Sequence, residues 1–175
     1  PKTGTTSLQT FFAVNRKALL ARGALYPASL GWRNHVRLAA ALHPAPTPQL
    51  KLAFAKTGAT DGGALRAMLD DGLAQEVAGA CADADAAGRP RPDTLVISSE
   101  FFWSMPEGGG LLSVLAAWAG AHAARTEVLI YLRRQDAFAV SMAITRALDG
   151  APGGRVAAPR RPQPPRRAAR YYTCR

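Results

Sequence analysis

Small hydroxyl residues and a glycine follow a lysine in the stretch PKTGTTS at residues 1–7. A glycine lets the backbone approach a ligand closely, and the free N–H groups at the start of a helix hold phosphate groups. Gly4 provides such an approach, and Lys2 provides a cation. The stretch predicts an anion-binding loop formed by Lys2, Thr3, Gly4, Thr5, Thr6 and Ser7. A helix N-cap rich in threonine is the structural alternative.

A second candidate anion site lies near residues 133–141, after the apolar run EVLIYL at residues 127–132. Arg133 follows that run directly, and Ser141 comes eight residues later on a predicted helix. An arginine provides a bidentate fork and a serine provides one hydroxyl donor, so the pair can bind one phosphate. Taken singly, each residue also fits an ordinary structural or solvated position.

Two residues are candidates for a general base, which must lie within hydrogen-bond reach of the proton it accepts. His35 lies in RNHVRL and titrates in the useful range, and Glu100 follows the strand-like run TLVISS. We favour His35 by a small margin, with Glu100 in the same pocket. The alternatives are a packing role for His35 and an N-cap or ion-pair role for Glu100. Neighbouring residues could line an acceptor site: Ser98, Ser99, Phe101, Phe102 and Trp103.

Alternating helices and strands are predicted to position these residues. Apolar spacing predicts helices over residues 5–22, 34–42, 63–82, 111–124 and 136–148, and a short extended piece at ALYP, residues 24–27. Residues 94–99 and 127–132 are continuous β-branched-rich runs, typical of buried parallel strands. This order predicts an α/β fold with a parallel sheet flanked by helices. Ligands bind such sheets at the carboxyl ends of the strands, where the candidate residues fall.

Together, PKTGTTSLQ and LIYLRRQDAFAVS resemble the two donor-binding motifs of sulfotransferases that use 3′-phosphoadenosine 5′-phosphosulfate. The likeness covers residues 1–148 and is nearest to the carbohydrate-type and bacterial branches. It implies a P-loop-like three-layer fold in which a strand precedes the first motif. That strand is absent from the sequence given, so we expect residues 1–150 to be a partial sulfotransferase domain.

The resemblance also implies roles for the residues. PKTGTT would hold the 5′-phosphosulfate, and Lys2 would stabilise the leaving phosphate oxygen during in-line sulfuryl transfer to an acceptor hydroxyl or amine. Arg133 and Ser141 would bind the 3′-phosphate. Carbohydrate hydroxyls are the favoured acceptors, and small molecules are the alternative. Members of the family need no metal, and we expect none here.

Three other functions are alternatives to sulfuryl transfer. A small-molecule kinase would carry G-x-x-x-x-G-K-[ST], whereas Lys2 precedes Gly4 here, and Glu100 alone is a candidate magnesium ligand. A truncated remnant could bind the nucleotide without catalysis. A nucleic-acid-binding module would interleave basic and aromatic residues on a folded face.

Composition bounds the remaining expectations. The net charge is +10, and seven arginines lie in residues 151–175. We expect this proline-rich tail to be disordered. We therefore expect no specific nucleic-acid partner. Cys81 and Cys174 lie far apart, which favours a reducing compartment and a cytoplasmic location. No apolar run is long enough for a membrane span. The oligomeric state cannot be read from the pattern.

Overall fold

The computed structural model describes residues 5–102, 110–129 and 140. Its helices and strands belong to one compact unit. The described part is mostly helical with a small parallel sheet, and its elements are α1 (Thr5–Val14), α2 (Arg16–Leu20), β1 (Ala24–Leu25), α3 (Val36–Leu42), α4 (Pro48–Thr57), α5 (Gly62–Ala86), β2 (Thr94–Leu95), a 3₁₀ turn (Glu100–Phe102) and α6 (Gly110–His122).

The helix predicted over residues 5–22 is divided into α1 and α2 at Asn15. The Asn15 side-chain amide donates a hydrogen bond to the carbonyl oxygen of Phe11 at 2.8 Å. An asparagine that bonds to the backbone in this way competes with the regular helical pattern, which explains the interruption. Gly23 lies in the turn between α2 and β1 with a φ of 83°, a left-handed conformation that glycine adopts without strain.

The described sheet is a two-stranded parallel pair. It joins the start of the strand predicted at 94–99 to the extended piece predicted at 24–27, and its described part does not include residues 127–129. Ala24 lies opposite Thr94 and Leu25 lies opposite Leu95. The Val96 N–H extends the pairing by donating to the Leu25 carbonyl at 2.9 Å. The ladder covers only the start of the predicted strand at 94–99, because the backbone of Ser98 bonds to His35.

The hydrophobic core surrounds α3, which packs against α4, α5 and α6. Its members are buried apolar side chains from the four helices and the segment before α3: Leu30, Leu38, Ala39, Ala40, Leu42, Leu50, Ala53, Leu65, Leu69, Leu73 and Trp118. Three of the predicted helices, over 34–42, 63–82 and 111–124, are confirmed with shifted ends. The short α3 is stabilised by this packing, since an isolated helix of that length is marginal in water.

Helix α4 is not predicted by the apolar spacing. Thr47 caps it by accepting a hydrogen bond from the Leu50 N–H at 3.4 Å, and Pro48 occupies the first turn. Leu52 is 62% exposed, so the helix lacks a clean division into apolar and polar faces. Capping and tertiary packing therefore define α4 where periodicity is weak.

The strand predicted at residues 127–132 is wrong for its described part. Residues 127–129 have no strand assignment, and Val128 and Leu129 are 75% and 82% exposed. A buried parallel strand needs neighbours on both sides and helices on both faces, whereas the described sheet has two strands. Residues 130–132 and the predicted helix at 136–148, apart from Val140, lie outside the described residues. Among the helices that are described, none combines the length and apolar character needed to cross a membrane.

Candidate functional site

The candidate site lies at the carboxyl ends of β1 and β2. The chain leaves β1 through Tyr26 and Pro27, and it leaves β2 through residues 96–99 before Glu100 begins the 3₁₀ turn. Because the strands are parallel, both exits lie at the same edge of the pair. The start of α3 and one face of α1 contact this edge.

His35 links both strand exits through three hydrogen bonds. Its backbone N–H donates to the Ser98 carbonyl at 3.0 Å, and its Nδ1 accepts from the Ser98 N–H at 3.0 Å. Its Nε2 lies 3.0 Å from the Pro27 carbonyl. A carbonyl can only accept and an N–H can only donate, so the ring is the neutral tautomer with its proton on Nε2. The imidazole joins the β1 exit, the β2 exit and the start of α3.

Burial holds this imidazole in its neutral form. The His35 side chain is fully buried, and burial is the main cause that lowers its pKa from 6.5 to about 4. The charge on Arg16 lowers the pKa further, while the Pro27 carbonyl and the charge on Glu76 oppose the shift. In this arrangement the Nδ1 lone pair is occupied by the Ser98 N–H. The predicted role of His35 as a base would require that hydrogen bond to break.

Gln9 connects α1 to the same edge. Its side chain is 1% exposed, and its Nε2 donates to the Ser98 hydroxyl oxygen at 3.3 Å. A buried amide without partners would be costly, so this hydrogen bond gives the helix a preferred position against β2. Gln9 lies one helical turn after Thr5. This bond therefore holds α1, whose first turn contains the end of the predicted anion loop, beside the β2 exit.

The predicted anion-binding loop is described only at its end. Thr5, Thr6 and Ser7 form the first turn of α1, with Thr5 partly buried and the other two exposed. The first N–H groups of a helix have no partners within it, so this turn can donate to an anion. Lys2, Thr3, Gly4, Arg133 and Ser141 lie outside the described residues, and their roles remain predictions.

Glu100 lies at the same strand exit as the residues bound to His35. It is partly buried and begins the 3₁₀ turn directly after Ser99. The Ser99 hydroxyl donates to Asn34 Oδ1 at 2.8 Å and accepts from the Phe101 N–H at 3.3 Å. These bonds tie the turn that carries Glu100 to the segment before α3. The two candidate bases, His35 and Glu100, thus come from distant parts of the sequence to one edge.

Two residues of this network, Gln9 and Asn34, are not among the residues predicted from the sequence. Gln9 stands between Leu8 and Thr10 in SLQTFF, and nothing in that context distinguishes a buried glutamine from an exposed one. Ser98 and Ser99, predicted to line an acceptor site, form side-chain hydrogen bonds with Gln9 and Asn34, and their predicted role stays a prediction. Phe101 and Phe102 are partly buried against the core, and Trp103 lies outside the described residues.

Comparisons with protein-family models, with curated proteins and with solved structures find no match to this chain. Within the described part, no group of three or more His, Cys, Asp or Glu side chains is placed to hold a metal ion. The candidate site is therefore interpreted from its own residues and their geometry.

Proposed function

We propose that this chain is the donor-binding part of a sulfotransferase. The donor is 3′-phosphoadenosine 5′-phosphosulfate, and the acceptor is a hydroxyl or amine, with carbohydrate hydroxyls as the favoured class. The proposal starts from the two sequence motifs, PKTGTTSLQ and LIYLRRQDAFAVS, and from their order in the chain.

One observation supports it most directly, the hydrogen bond between Gln9 and Ser98. It places the helix that follows PKTGTT against the carboxyl end of a parallel strand. Open α/β sheets bind nucleotides at this position, where helix N-termini and strand exits meet. The exposed hydroxyls of Thr6 and Ser7 fit a phosphosulfate group at the same end of α1.

In the proposed reaction the acceptor oxygen or nitrogen attacks sulfur in line with the leaving group. A bond from that atom to sulfur forms while the bond between sulfur and the bridging phosphate oxygen breaks, so negative charge grows on the phosphate. Lys2 stabilises that charge, and the backbone and hydroxyl groups of the loop hold the phosphosulfate. Arg133 and Ser141 bind the 3′-phosphate and select this donor over other adenine nucleotides.

The proton of the acceptor requires a base at the strand edge. We assign this role to Glu100, because both ring nitrogens of His35 are already engaged. His35 then acts as a positioning residue that holds the β2 exit through Ser98. A carboxylate at the exit of a parallel strand can reach a ligand bound at that edge.

Calorimetric titration with 3′-phosphoadenosine 5′-phosphate and with AMP tests the donor assignment. Loss of two charge-assisted hydrogen bonds predicts that AMP binds about 100-fold more weakly. Arg133→Ala should remove most of that difference, whereas Arg134→Ala, a change of the same type one position later, should retain it. Equal binding of the two nucleotides by the wild-type chain would refute the proposal. Preferential binding of ATP with Mg²⁺ would favour a kinase instead.

A transfer assay with a panel of carbohydrate acceptors tests the chemistry. Lys2→Ala should abolish sulfuryl transfer, and Lys17→Ala should leave it unchanged, since Lys17 lies on α2 away from the loop sequence. Activity retained in Lys2→Ala would contradict the assigned role. Glu100→Gln should lower kcat with little effect on donor affinity, because the base acts on the acceptor.

A further inference from the structure

Arg16, the first residue of α2, bonds to backbone carbonyl oxygens in three segments around the candidate site. Its Nε donates to the Tyr26 carbonyl at 2.9 Å, and its Nη1 donates to the Ala13 carbonyl at 3.0 Å. Its Nη2 donates to the Trp32 carbonyl. These partners belong to α1, to the exit of β1 and to the segment before α3, so one side chain joins all three.

Two aromatic rings hold this guanidinium in one orientation. Its carbon lies 5.4 Å from the centre of the Tyr26 ring and 5.8 Å from the centre of the Trp32 ring, distances at which a cation and a ring face attract each other. Arg16 is partly buried, and each guanidinium nitrogen has a carbonyl partner. Lysine could not reproduce this fork, because all of its donors share one nitrogen.

The first connection from Arg16 to the site runs through the β1 exit. Tyr26 precedes Pro27, whose carbonyl oxygen lies 3.0 Å from Nε2 of His35. The Tyr26 and His35 rings also contact each other, with their centres 4.5 Å apart. His35 in turn bonds to both backbone groups of Ser98. A shift of the Tyr26 carbonyl would therefore be transmitted to the β2 exit.

The second connection runs through the turn before α3. Gly31 has a φ of 140°, and a Cβ added there would clash with the Asn34 carbonyl oxygen, so only glycine fits and the turn has little freedom to change shape. The guanidinium bond to the Trp32 carbonyl lies in the middle of this turn. The Asn34 side chain accepts a hydrogen bond from the Ser99 hydroxyl at 2.8 Å, and Glu100, the proposed base, follows directly.

The charge on Arg16 acts on the imidazole at this edge. Burial is the main cause that lowers the pKa of His35 to about 4, and the charge on Arg16 lowers it further. The Pro27 carbonyl and the charge on Glu76 raise the pKa. Arg16 therefore favours the neutral ring, which is the form that accepts the Ser98 N–H.

We propose that Arg16 is a positioning residue that holds in place the strand edge carrying Glu100, an inference that rests on the proposed sulfotransferase function. Its guanidinium nitrogens are all bonded to the protein, so Arg16 acts through the β1 exit and the turn before α3 and not by contact with substrate. A misplacement of about 1 Å at a reacting group can lower a rate about 100-fold. Donor binding is assigned to other residues, so loss of Arg16 should affect the transfer step and not donor affinity.

Amide exchange measured by NMR in the chain without donor tests whether Arg16 holds this edge. The Ser98 and Phe101 N–H groups report on it, because they bond to side chains of the two connections. Their exchange should become about tenfold faster in Arg16→Lys and in Arg16→Gln. Lys17→Gln, which removes the charge of an exposed neighbour on α2, is the matched control and should leave exchange unchanged.

Titration of the His35 ring signal separates the charge of Arg16 from its fork of donors. Arg16→Gln removes the charge, so the pKa of His35 should rise towards 6.5 and stay below it, since burial remains. Arg16→Lys keeps the charge, so the pKa should stay near 4 although amide exchange is faster. An equal rise of the pKa in both variants would indicate general loosening of the fold and would contradict the specific role of the fork.

The transfer assay and the donor titration complete the test. In Arg16→Lys, kcat should fall about tenfold or more while the affinity for 3′-phosphoadenosine 5′-phosphate stays unchanged, because a misplaced base slows the chemical step alone. Unchanged amide exchange or unchanged kcat in Arg16→Lys would overturn the positioning role, as would a loss of donor affinity as large as the loss of kcat. Circular dichroism of each variant establishes that it is folded.

The same samples distinguish failure of this inference from failure of the proposed function. If wild type prefers the nucleotide with a 3′-phosphate while Arg16→Lys keeps its full kcat, the role of Arg16 alone is refuted. If wild type lacks that preference, the sulfotransferase function itself is refuted.

Discussion

Acidification should destabilise this fold through the buried imidazole of His35. The ring is neutral in the folded chain, where burial lowers its pKa to about 4, and it regains an ordinary pKa of 6.5 on unfolding. The unfolded chain therefore binds the proton first as the pH falls. The stability that neutral His35 contributes is fully present above about pH 6.5, and it is lost as the pH falls from 6.5 towards 4.

The size of this effect follows from the two pKa values. Each pKa unit corresponds to about 1.4 kcal/mol, so the free energy of unfolding should fall by about 2.5 kcal/mol between pH 7.5 and pH 4.5 through this group alone. Protonation of Nδ1 would also bring two donors together, because the Ser98 N–H points at that nitrogen. The main physical source of the effect is thus the burial of a charge, and loss of the hydrogen bond from the Ser98 N–H accompanies it.

Urea denaturation of wild type and His35→Gln at several pH values measures this contribution. Glutamine does not titrate, so the wild-type advantage at pH 7.5 should shrink by about 2.5 kcal/mol at pH 4.5, or about 1 M in midpoint. Leu38→Val is the matched control, since it changes a fully buried apolar side chain of α3 and removes no titrating group. Its destabilisation, about 1 kcal/mol, should be the same at both pH values.

The pH dependence of the His35→Gln destabilisation tests whether His35 causes the acid sensitivity. The difference in free energy of unfolding between wild type and His35→Gln is compared at pH 7.5 and pH 4.5. If that difference is the same at both pH values, the buried neutral imidazole is refuted as the source of acid sensitivity. Titration of the His35 ring signal by NMR provides an independent measurement, and a midpoint near 6.5 in the folded chain would contradict the structure directly.

Two further predictions concern the bonds that position the site. Gln9→Ala should lower the free energy of unfolding by about 1 to 2 kcal/mol and speed amide exchange in α1, because it removes the hydrogen bond to Ser98; unchanged exchange there would contradict this link. Glu76→Ala should cost about 2 kcal/mol by urea denaturation, because it leaves the Ala28 and Ser29 N–H groups without their acceptor, whereas Gln75→Ala at an exposed position should be neutral.

Local patterns in the sequence were sufficient for most of the helices and for one strand of the parallel pair, but not for its partner at 24–25. The β-branched run at 94–99 begins a parallel strand. Helical spacing predicts that α5 buries five apolar residues; Leu65, Leu69 and Leu73 are buried, whereas Met68 and Val77 are exposed. Apolar spacing failed as a guide at α4, where the exposed Leu52 hides the helical period. The run at 127–129 has the composition of a buried strand, yet composition cannot show whether neighbouring strands are available.

The sequence by itself determined which residue types are available for chemistry, because motif order and spacing are properties of the chain. It identified PKTGTT, RNH and SSE as stretches that carry candidate site residues, but it did not show how these stretches are arranged in space. Only the tertiary structure decided that His35 is buried between two strand exits and that Gln9 reaches Ser98. The physical reason is that burial and hydrogen-bond partners depend on segments far apart in sequence, and these set the protonation state and position of each side chain.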